Sequence, residues 1–142
     1  MYDTGVAMSA AITVDPRDAV PIWRQIEEGM RRLVAVGALA PAAPVPSVRD
    51  LARDLGVNPM TVSKAYQRLA DTGVLEVRRG EGTFVAGTPP KVGPVERARS
   101  MKDAAVRYAG VAMGLGAAED DATAAVKDAW AALTKRPRGE KR

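Results

Sequence analysis

The chain has 142 residues, a formal net charge of +4, and neither cysteine nor histidine. It therefore forms no disulfide or thiolate metal site, and it lacks the residue that serves most often as general base and metal ligand. No apolar run approaches the roughly 20 residues of a membrane-spanning helix, and the N-terminus is unlike a signal peptide. We expect a soluble, cytoplasmic protein that is not an enzyme, uses no cofactor or metal and has no membrane partner.

The charged residues are unevenly distributed along the chain. Residues 1–87 carry ten basic and ten acidic side chains, whereas residues 88–142 carry eleven basic and seven acidic ones. The second half therefore supplies the whole net charge. Net charge is weak evidence for a nucleic-acid partner here, so the positions of individual cations have to support that hypothesis.

The first regular element is predicted to be an amphipathic helix that begins near Pro21 and ends before Gly37. Apolar residues recur in it at spacings of three and four, and charged residues occupy the opposite side. The preceding segment 12–14 is either a short strand or a lead-in. The expected apolar face contains Ile22, Ile26, Met30, Leu33 and Val34, and the expected polar side contains Arg24, Glu27, Glu28, Arg31 and Arg32.

Two shorter helices are predicted after a proline-containing loop at residues 38–45. Ser47 and Asp50 form a capping pattern for the first helix, and Gly56 ends it. The pair Asn58-Pro59 starts the second helix, which Gly73 ends. The expected buried residues are Val48, Leu51, Ala52, Leu55, Val62, Ala65, Tyr66 and Leu69, although the pattern leaves open whether Tyr66 lies in the core or touches a phosphate.

A β-hairpin is predicted next, with strands at residues 74–78 and 83–85 around the glycine-rich segment 79–82. Two helices joined by a glycine turn and followed by such a hairpin form a winged helix-turn-helix, which places its second helix in the major groove of DNA.

The side chains that this arrangement exposes are of the types that contact base edges and phosphates. The start of the first short helix offers unpaired N–H groups to a phosphate, and the wing tip combines a cation with a closely approaching backbone. Arg53 and Arg68 are better explained as surface charges or salt-bridge partners. The predicted DNA-binding residues are Ser47, Arg49, Asn58, Thr61, Ser63, Lys64, Arg79 and Gly80.

Four segments of this region carry characteristic motifs: V-P-I-W-R-Q-I (20–26), V-P-S-V-R-D-L-A (45–52), V-N-P-M-T-V (57–62) and G-E-G-T-F-V (80–85). They resemble the GntR family of bacterial transcription regulators, and its YtrA-like branch with a short C-terminal region in particular. The resemblance implies a homodimer that binds double-stranded DNA at an inverted-repeat operator, usually as a repressor. The chain departs from the family pattern at Pro41-Ala42-Ala43-Pro44, where relatives commonly have Pro-Gly, and at Pro59 and Met60, where many relatives have Arg or Thr.

The predicted fold is mainly α with a small β-hairpin: a winged helix-turn-helix at residues 12–87, a linker at 88–94, a two-helix dimerisation hairpin at 95–134, and a disordered basic tail at 135–142. Two amphipathic helices cannot bury both apolar stripes alone, so pairing with a second copy is favoured over packing against the winged domain. A small-molecule effector between the helices stays open, since no convergent polar site marks one. The expected dimer-interface residues are Met101, Ala105, Tyr108, Ala112, Val126, Trp130 and Leu133.

Two other functions compete with a DNA-binding regulator. A protein-interaction adaptor would use the winged helix on a protein surface, and its partner would engage Thr61 and Lys64 without competition from DNA. A small enzyme would rely on the carboxylates of Asp50 and Asp54, but no base or metal ligand accompanies them. The operator sequence, the regulated genes and the sign of regulation do not follow from the sequence.

Overall fold

The computed structural model describes residues 11–134. The chain divides into two compact units between residues 90 and 91. The predicted basic tail lies outside the described residues, and none of the described helices is long and apolar enough to span a membrane. A mainly helical fold with one small hairpin is confirmed. Its elements are α1 (Ile22–Ala35), α2 (Val48–Leu55), α3 (Pro59–Asp71), β1 (Leu75–Arg78), β2 (Gly82–Val85), α4 (Pro94–Gly114) and α5 (Glu119–Thr134).

The two short helices begin and end where their sequences predict. The Ser47 hydroxyl accepts a hydrogen bond from the Asp50 N–H at 3.1 Å, and the Asn58 side chain accepts one from the Met60 N–H at 2.8 Å. Each bond satisfies a backbone donor that has no partner inside its helix. Gly56 takes the left-handed conformation, with φ of 68°, which turns the chain from α2 into α3.

The core of the first unit lies between α1, α2, α3 and the hairpin. Both α1 and α2 pack against α3, and β1 also contacts α3. Segment 12–14 forms no strand, but Ile12 is buried beside Gly29 of α1. Leu39 and Val45, from the loop before α2, are buried as well. Tyr66, which the pattern left open, is a core residue, and the other apolar side chains buried in the three helices all lie at predicted core positions. These buried apolar residues are Ile26, Met30, Leu33, Leu51, Ala52, Val62, Ala65, Tyr66 and Leu69.

One polar residue of α1 was placed wrongly by its periodicity. Glu27 was expected on the solvent side, yet it is only 6% exposed. Its carboxylate pairs with Arg31 of α1 at 3.0 Å and with Arg68 of α3 at 2.8 Å. A buried charge is tolerated when it is paired and hydrogen-bonded, and here α3 provides the second partner.

The loop before α2 lies along the hairpin. Strands β1 and β2 pair antiparallel from Leu75 opposite Val85 to Arg78 opposite Gly82. On the edge of β2 that does not pair with β1, a bridge joins Pro44 to Phe84, and the Val85 N–H donates to the Ala43 carbonyl at 2.8 Å. The hairpin is therefore fixed to the segment that leads into α2.

The second unit exposes most of its apolar side chains. Within the described part of this unit only Ala112 is buried among the hydrophobic residues, while Met101 is 63% and Trp130 71% exposed. The Tyr108 hydroxyl donates to the Ala122 carbonyl at 2.8 Å and so links α4 to α5. Among the other predicted interface residues, Ala105, Val126 and Leu133 are exposed too.

Candidate DNA-binding surface

Helix α3 has one buried face and one open face. Its core residues recur at spacings of three and four, which leaves the residues between them facing water. Ser63 and Lys64 are exposed, Thr61 is half-buried, and the capping residue Asn58 is exposed just ahead of the helix. The first two turns of α3 therefore present the polar side chains that the sequence predicts there.

A tyrosine of α3 fixes the start of α2. The Tyr66 hydroxyl donates to the Pro46 carbonyl at 2.7 Å, immediately before the capping residue Ser47. Tyr66 is buried, and burial raises the pKa of its phenol far above the ordinary value, so the hydroxyl keeps its proton. Tyr66 is therefore a core residue that positions the first turn of α2, where Ser47 and Arg49 are exposed.

The hairpin tip exposes Arg79 and Gly80, the two predicted wing residues. Gly80 has a φ of 80°, a conformation that side-chain-bearing residues rarely adopt. The neighbouring Arg78 is held in place, since its guanidinium lies 4.2 Å from the Phe84 ring centroid and pairs with Glu76 at 3.0 Å.

The basic residues of the first unit fall into two groups. Within residues 11–90, the cations that form a salt bridge are Arg17, Arg24, Arg31, Arg53, Arg68 and Arg78. Arg53 and Arg68 were expected to be surface charges or salt-bridge partners, and both form salt bridges. Those that form none in this range are Arg32, Arg49, Lys64 and Arg79.

Three of the four cations without a salt bridge are predicted DNA-binding residues. Arg49 lies on the first turn of α2, Lys64 on α3 and Arg79 at the wing tip. A cation whose charge is not compensated by a carboxylate attracts phosphate more strongly than a paired one. The three elements of the winged helix thus each present one such charge.

The sequence did not reveal how α1 contributes to this surface. The Trp23 ring of α1 lies 4.5 Å from the Lys64 ammonium and 4.8 Å from the Arg68 guanidinium, measured to the ring centroid. Lys64 and Arg68 are four residues apart, so they lie on one side of α3. That spacing is visible in the sequence, but nothing in it indicates that α1 places an aromatic ring opposite.

The carboxylates considered for catalysis are occupied by an arginine. Arg53 pairs with Asp50 at 3.2 Å and with Asp54 at 3.6 Å. In the part of the chain from 11 to 134, no group of three or more metal-binding side chains lies together. The two aspartates therefore serve as salt-bridge partners in α2.

Comparison with known proteins identifies this arrangement. Residues 23–85 match the family described as "Bacterial regulatory proteins, gntR family". The HTH-type transcriptional regulator Rv1152 of Mycobacterium tuberculosis is 37% identical over 111 residues, which cover 78% of this chain and 87% of that protein. The HTH-type transcriptional repressor YtrA of Bacillus subtilis is 44% identical over 75 residues, which cover 53% of this chain but only 58% of the relative.

A solved structure agrees with these relatives. The structure described as "YtrA from Sulfolobus acidocaldarius, a GntR-family transcription factor" has a TM-score of 0.55 and 33% sequence identity. The alignment covers 68% of this chain and 98% of that one. The family and the YtrA-like branch predicted from the sequence motifs are therefore confirmed. The chain belongs to the GntR family of bacterial regulatory proteins and is a DNA-binding transcription regulator of the winged-helix type.

Proposed function

We propose that this protein is a homodimeric cytoplasmic repressor that binds an inverted-repeat operator through residues 12–87. The observation that carries the proposal is the set of three exposed cations without salt bridges, Arg49, Lys64 and Arg79, on the three elements that a winged helix directs to DNA. The relatives named above are transcription regulators, and one is a repressor.

Each polar group of the site has a distinct part in this proposal. The Asn58 oxygen already accepts the Met60 N–H, so its amide N–H groups remain to donate to a base edge or phosphate. The Ser47 oxygen accepts the Asp50 N–H, and its hydroxyl proton remains to donate to a phosphate. Thr61 and Ser63 supply further hydroxyls to the major groove.

In this proposal the remaining contacts with DNA are made by the cations of α2 and α3 and by the wing tip. Arg49 has the forked donor geometry that reads guanine, whereas Lys64 acts as a point charge toward a phosphate. Arg79 and Gly80 lie along the adjacent backbone or enter the minor groove. These assignments predict different effects on specificity and on the dependence of affinity on salt.

Dimerisation is supported by the apolar side chains that are exposed in segment 95–134. Large exposed apolar patches are uncommon on monomeric proteins, and a twofold pair buries the same patch on both copies. A twofold dimer also presents two α3 helices, which requires two half-sites in inverted orientation. We assign the interface to Met101, Ala105, Tyr108, Val126, Trp130 and Leu133. Ala112 was also expected there, but it is already buried within its own chain, and we leave it out of the interface. We assign no small-molecule effector.

DNA binding is tested with the duplex that the purified protein selects from a randomised library. Arg49→Ala is expected to weaken binding by roughly 1–3 kcal/mol and to relax specificity at one base position. Lys64→Ala is expected to weaken binding to all sequences and to lower the slope of log K against log salt by about 1. Arg17→Ala is the control, because it removes an exposed arginine that pairs with Asp15 in the segment ahead of α1, away from α2, α3 and the hairpin tip in sequence.

Two outcomes would contradict the DNA-binding proposal. One is equal affinity of the wild-type protein for the selected and a scrambled duplex. The other is a partner protein that engages Thr61 and Lys64 while DNA fails to compete, which would favour the adaptor function.

The dimer is tested by sedimentation equilibrium. Trp130→Glu is expected to convert the protein to monomers, because it places a charge in a buried apolar interface. Val77→Ala, which removes an exposed apolar residue of β1, is expected to leave the mass unchanged. A wild-type protein of 15.0 kDa in solution would contradict the proposed dimer.

A further inference from the structure

Helix α1 contacts α3, the helix proposed to enter the major groove and called the recognition helix below. The contact is a cluster of four side chains, Trp23 and Glu27 of α1 and Lys64 and Arg68 of α3. The Trp23 ring contacts both Lys64 and Arg68 of α3. Arg68 also pairs with the buried carboxylate of Glu27 at 2.8 Å, whereas Lys64 forms no salt bridge within residues 11–134. Two cations on the same ring therefore have different electrostatic surroundings.

The difference between the two cations follows from what each contact does to the charge. A carboxylate partner neutralises a cation and competes with phosphate for it, as Glu27 does for Arg68. An aromatic ring attracts a cation by its quadrupole, which orients the cation but leaves its full charge in place. Lys64 is thus held on one side of α3 with its positive charge undiminished.

Holding the side chain also reduces the entropic cost of a DNA contact. Lysine has four rotatable side-chain bonds, and fixing such a chain at an interface costs roughly 0.5–1.5 kcal/mol. Part of that ordering has already occurred in the free protein when the ammonium rests on the ring. Because Trp23 is itself half-buried on α1, it is a fixed platform rather than a second mobile side chain.

We propose that Trp23 is a positioning residue for DNA binding, which holds the Lys64 ammonium beside the recognition helix without neutralising it. The inference rests on the proposed contact of Lys64 with the DNA backbone. Trp23 itself touches neither base nor phosphate in this proposal. Its role is to place the charge, while Glu27 and Arg68 hold α1 and α3 together.

The test is a double-mutant cycle on affinity for the selected duplex. Trp23→Leu, which keeps an apolar side chain but removes the ring, is expected to weaken binding about two- to five-fold, the strength of an exposed cation–π contact. In a Lys64→Ala background the same change is expected to have no further effect. Trp23→Phe, which keeps a weaker aromatic face, is expected to fall between Trp23→Leu and the wild type.

A purely structural role of Trp23 would give a different result. It would weaken binding by the same factor with and without Lys64, in step with the loss of unfolding free energy, and that outcome would overturn the proposal. No effect of Trp23→Leu in either background would overturn it too. Neither result would affect the proposed function, because that function is tested separately by whether the wild-type protein prefers its selected duplex.

A second measurement keeps the test decisive if Trp23→Leu does not fold. Lys64→Met retains the length of the side chain but removes the ammonium beside the ring. It is expected to change the tryptophan emission of the DNA-free protein, in which Trp130 of α5 provides a constant background. Identical emission from Lys64→Met and the wild type would mean that the ammonium does not rest on Trp23 in solution, and the proposal would then be wrong.

Discussion

The buried carboxylate of Glu27 allows a quantitative prediction. Glu27→Gln keeps the shape of the side chain but removes the charge that Arg31 and Arg68 share. Arg31 also donates to the Thr72 hydroxyl at 2.9 Å, so the cluster ties the middle of α1 to the end of α3. The substitution is therefore expected to lower the free energy of unfolding and to loosen the packing of α1 on the recognition helix.

The size of this loss of unfolding free energy follows from how exposed the two arginine partners of Glu27 are. Breaking a fully buried ion pair costs about 3–5 kcal/mol, whereas an exposed pair contributes about 1 kcal/mol or less. Glu27 is buried, but the side chains of Arg31 and Arg68 are 37% and 51% exposed and can turn toward water. We therefore expect Glu27→Gln to cost roughly 1–3 kcal/mol, between these limits.

The loss of unfolding free energy caused by Glu27→Gln is expected to depend on pH. Burial acts to raise the pKa of Glu27, but hydrogen bonds from Arg68 and Arg31 and their positive charges outweigh it, so the pKa lies below the ordinary value. A carboxylate with a lowered folded-state pKa stabilises the protein fully above the unfolded value of about 4.3. That contribution disappears as the pH falls through the lower folded-state pKa, where protonated Glu27 resembles glutamine.

Urea denaturation at several pH values measures both effects. The difference in unfolding free energy between wild type and Glu27→Gln should be largest near neutral pH and should approach zero at acidic pH. Glu28→Gln is the control. Glu28 is the next residue in α1 and pairs with Arg24 at the surface, where a salt bridge contributes about 0.5 kcal/mol or less to the unfolding free energy. A difference for Glu27→Gln that equals the control, or one that stays constant into acid, would refute the reasoning.

Three local substitutions give further expectations for unfolding free energy in urea. Tyr66→Phe should cost about 1–3 kcal/mol, because it leaves the Pro46 carbonyl without its buried donor. It should also weaken DNA binding, because Tyr66 positions the first turn of α2. Unchanged stability would contradict this expectation. Gly56→Ala should cost about 1–2 kcal/mol through backbone strain alone, since nothing lies within 4 Å of the new Cβ. Conversely, Ala42→Gly should stabilise the fold by up to about 1 kcal/mol because Ala42 has a φ of 69°; a loss of stability would show that this turn is unstrained.

The winged helix was predictable because its signals are local. The caps at Ser47 and Asn58 involve donors two or three residues further along, and the turn at Gly56 depends on one residue. The buried faces of α2 and α3 follow from helical periodicity. These features fix the order of elements and the exposed positions of Arg49 and Lys64 without reference to the rest of the chain.

Contacts between distant segments were not predictable in the same way. Glu27 and Arg68 are 41 residues apart, and the polar pattern of α1 offered no reason to choose Arg68 as a partner over any other arginine. Equally, the loop at Pro44 contains no strand signal, yet it pairs with Phe84 because β2 leaves an open edge beside it.

The sequence by itself determined which helices form, where they begin and end, and which family the motifs belong to, because caps, turns and periodicity act within a few residues. Only the tertiary structure decided which cations remain without a salt bridge and that Trp23 lies against Lys64. Salt bridges and ring contacts depend on how α1 and α3 pack, and several charged partners are equally compatible with the sequence until that packing selects one.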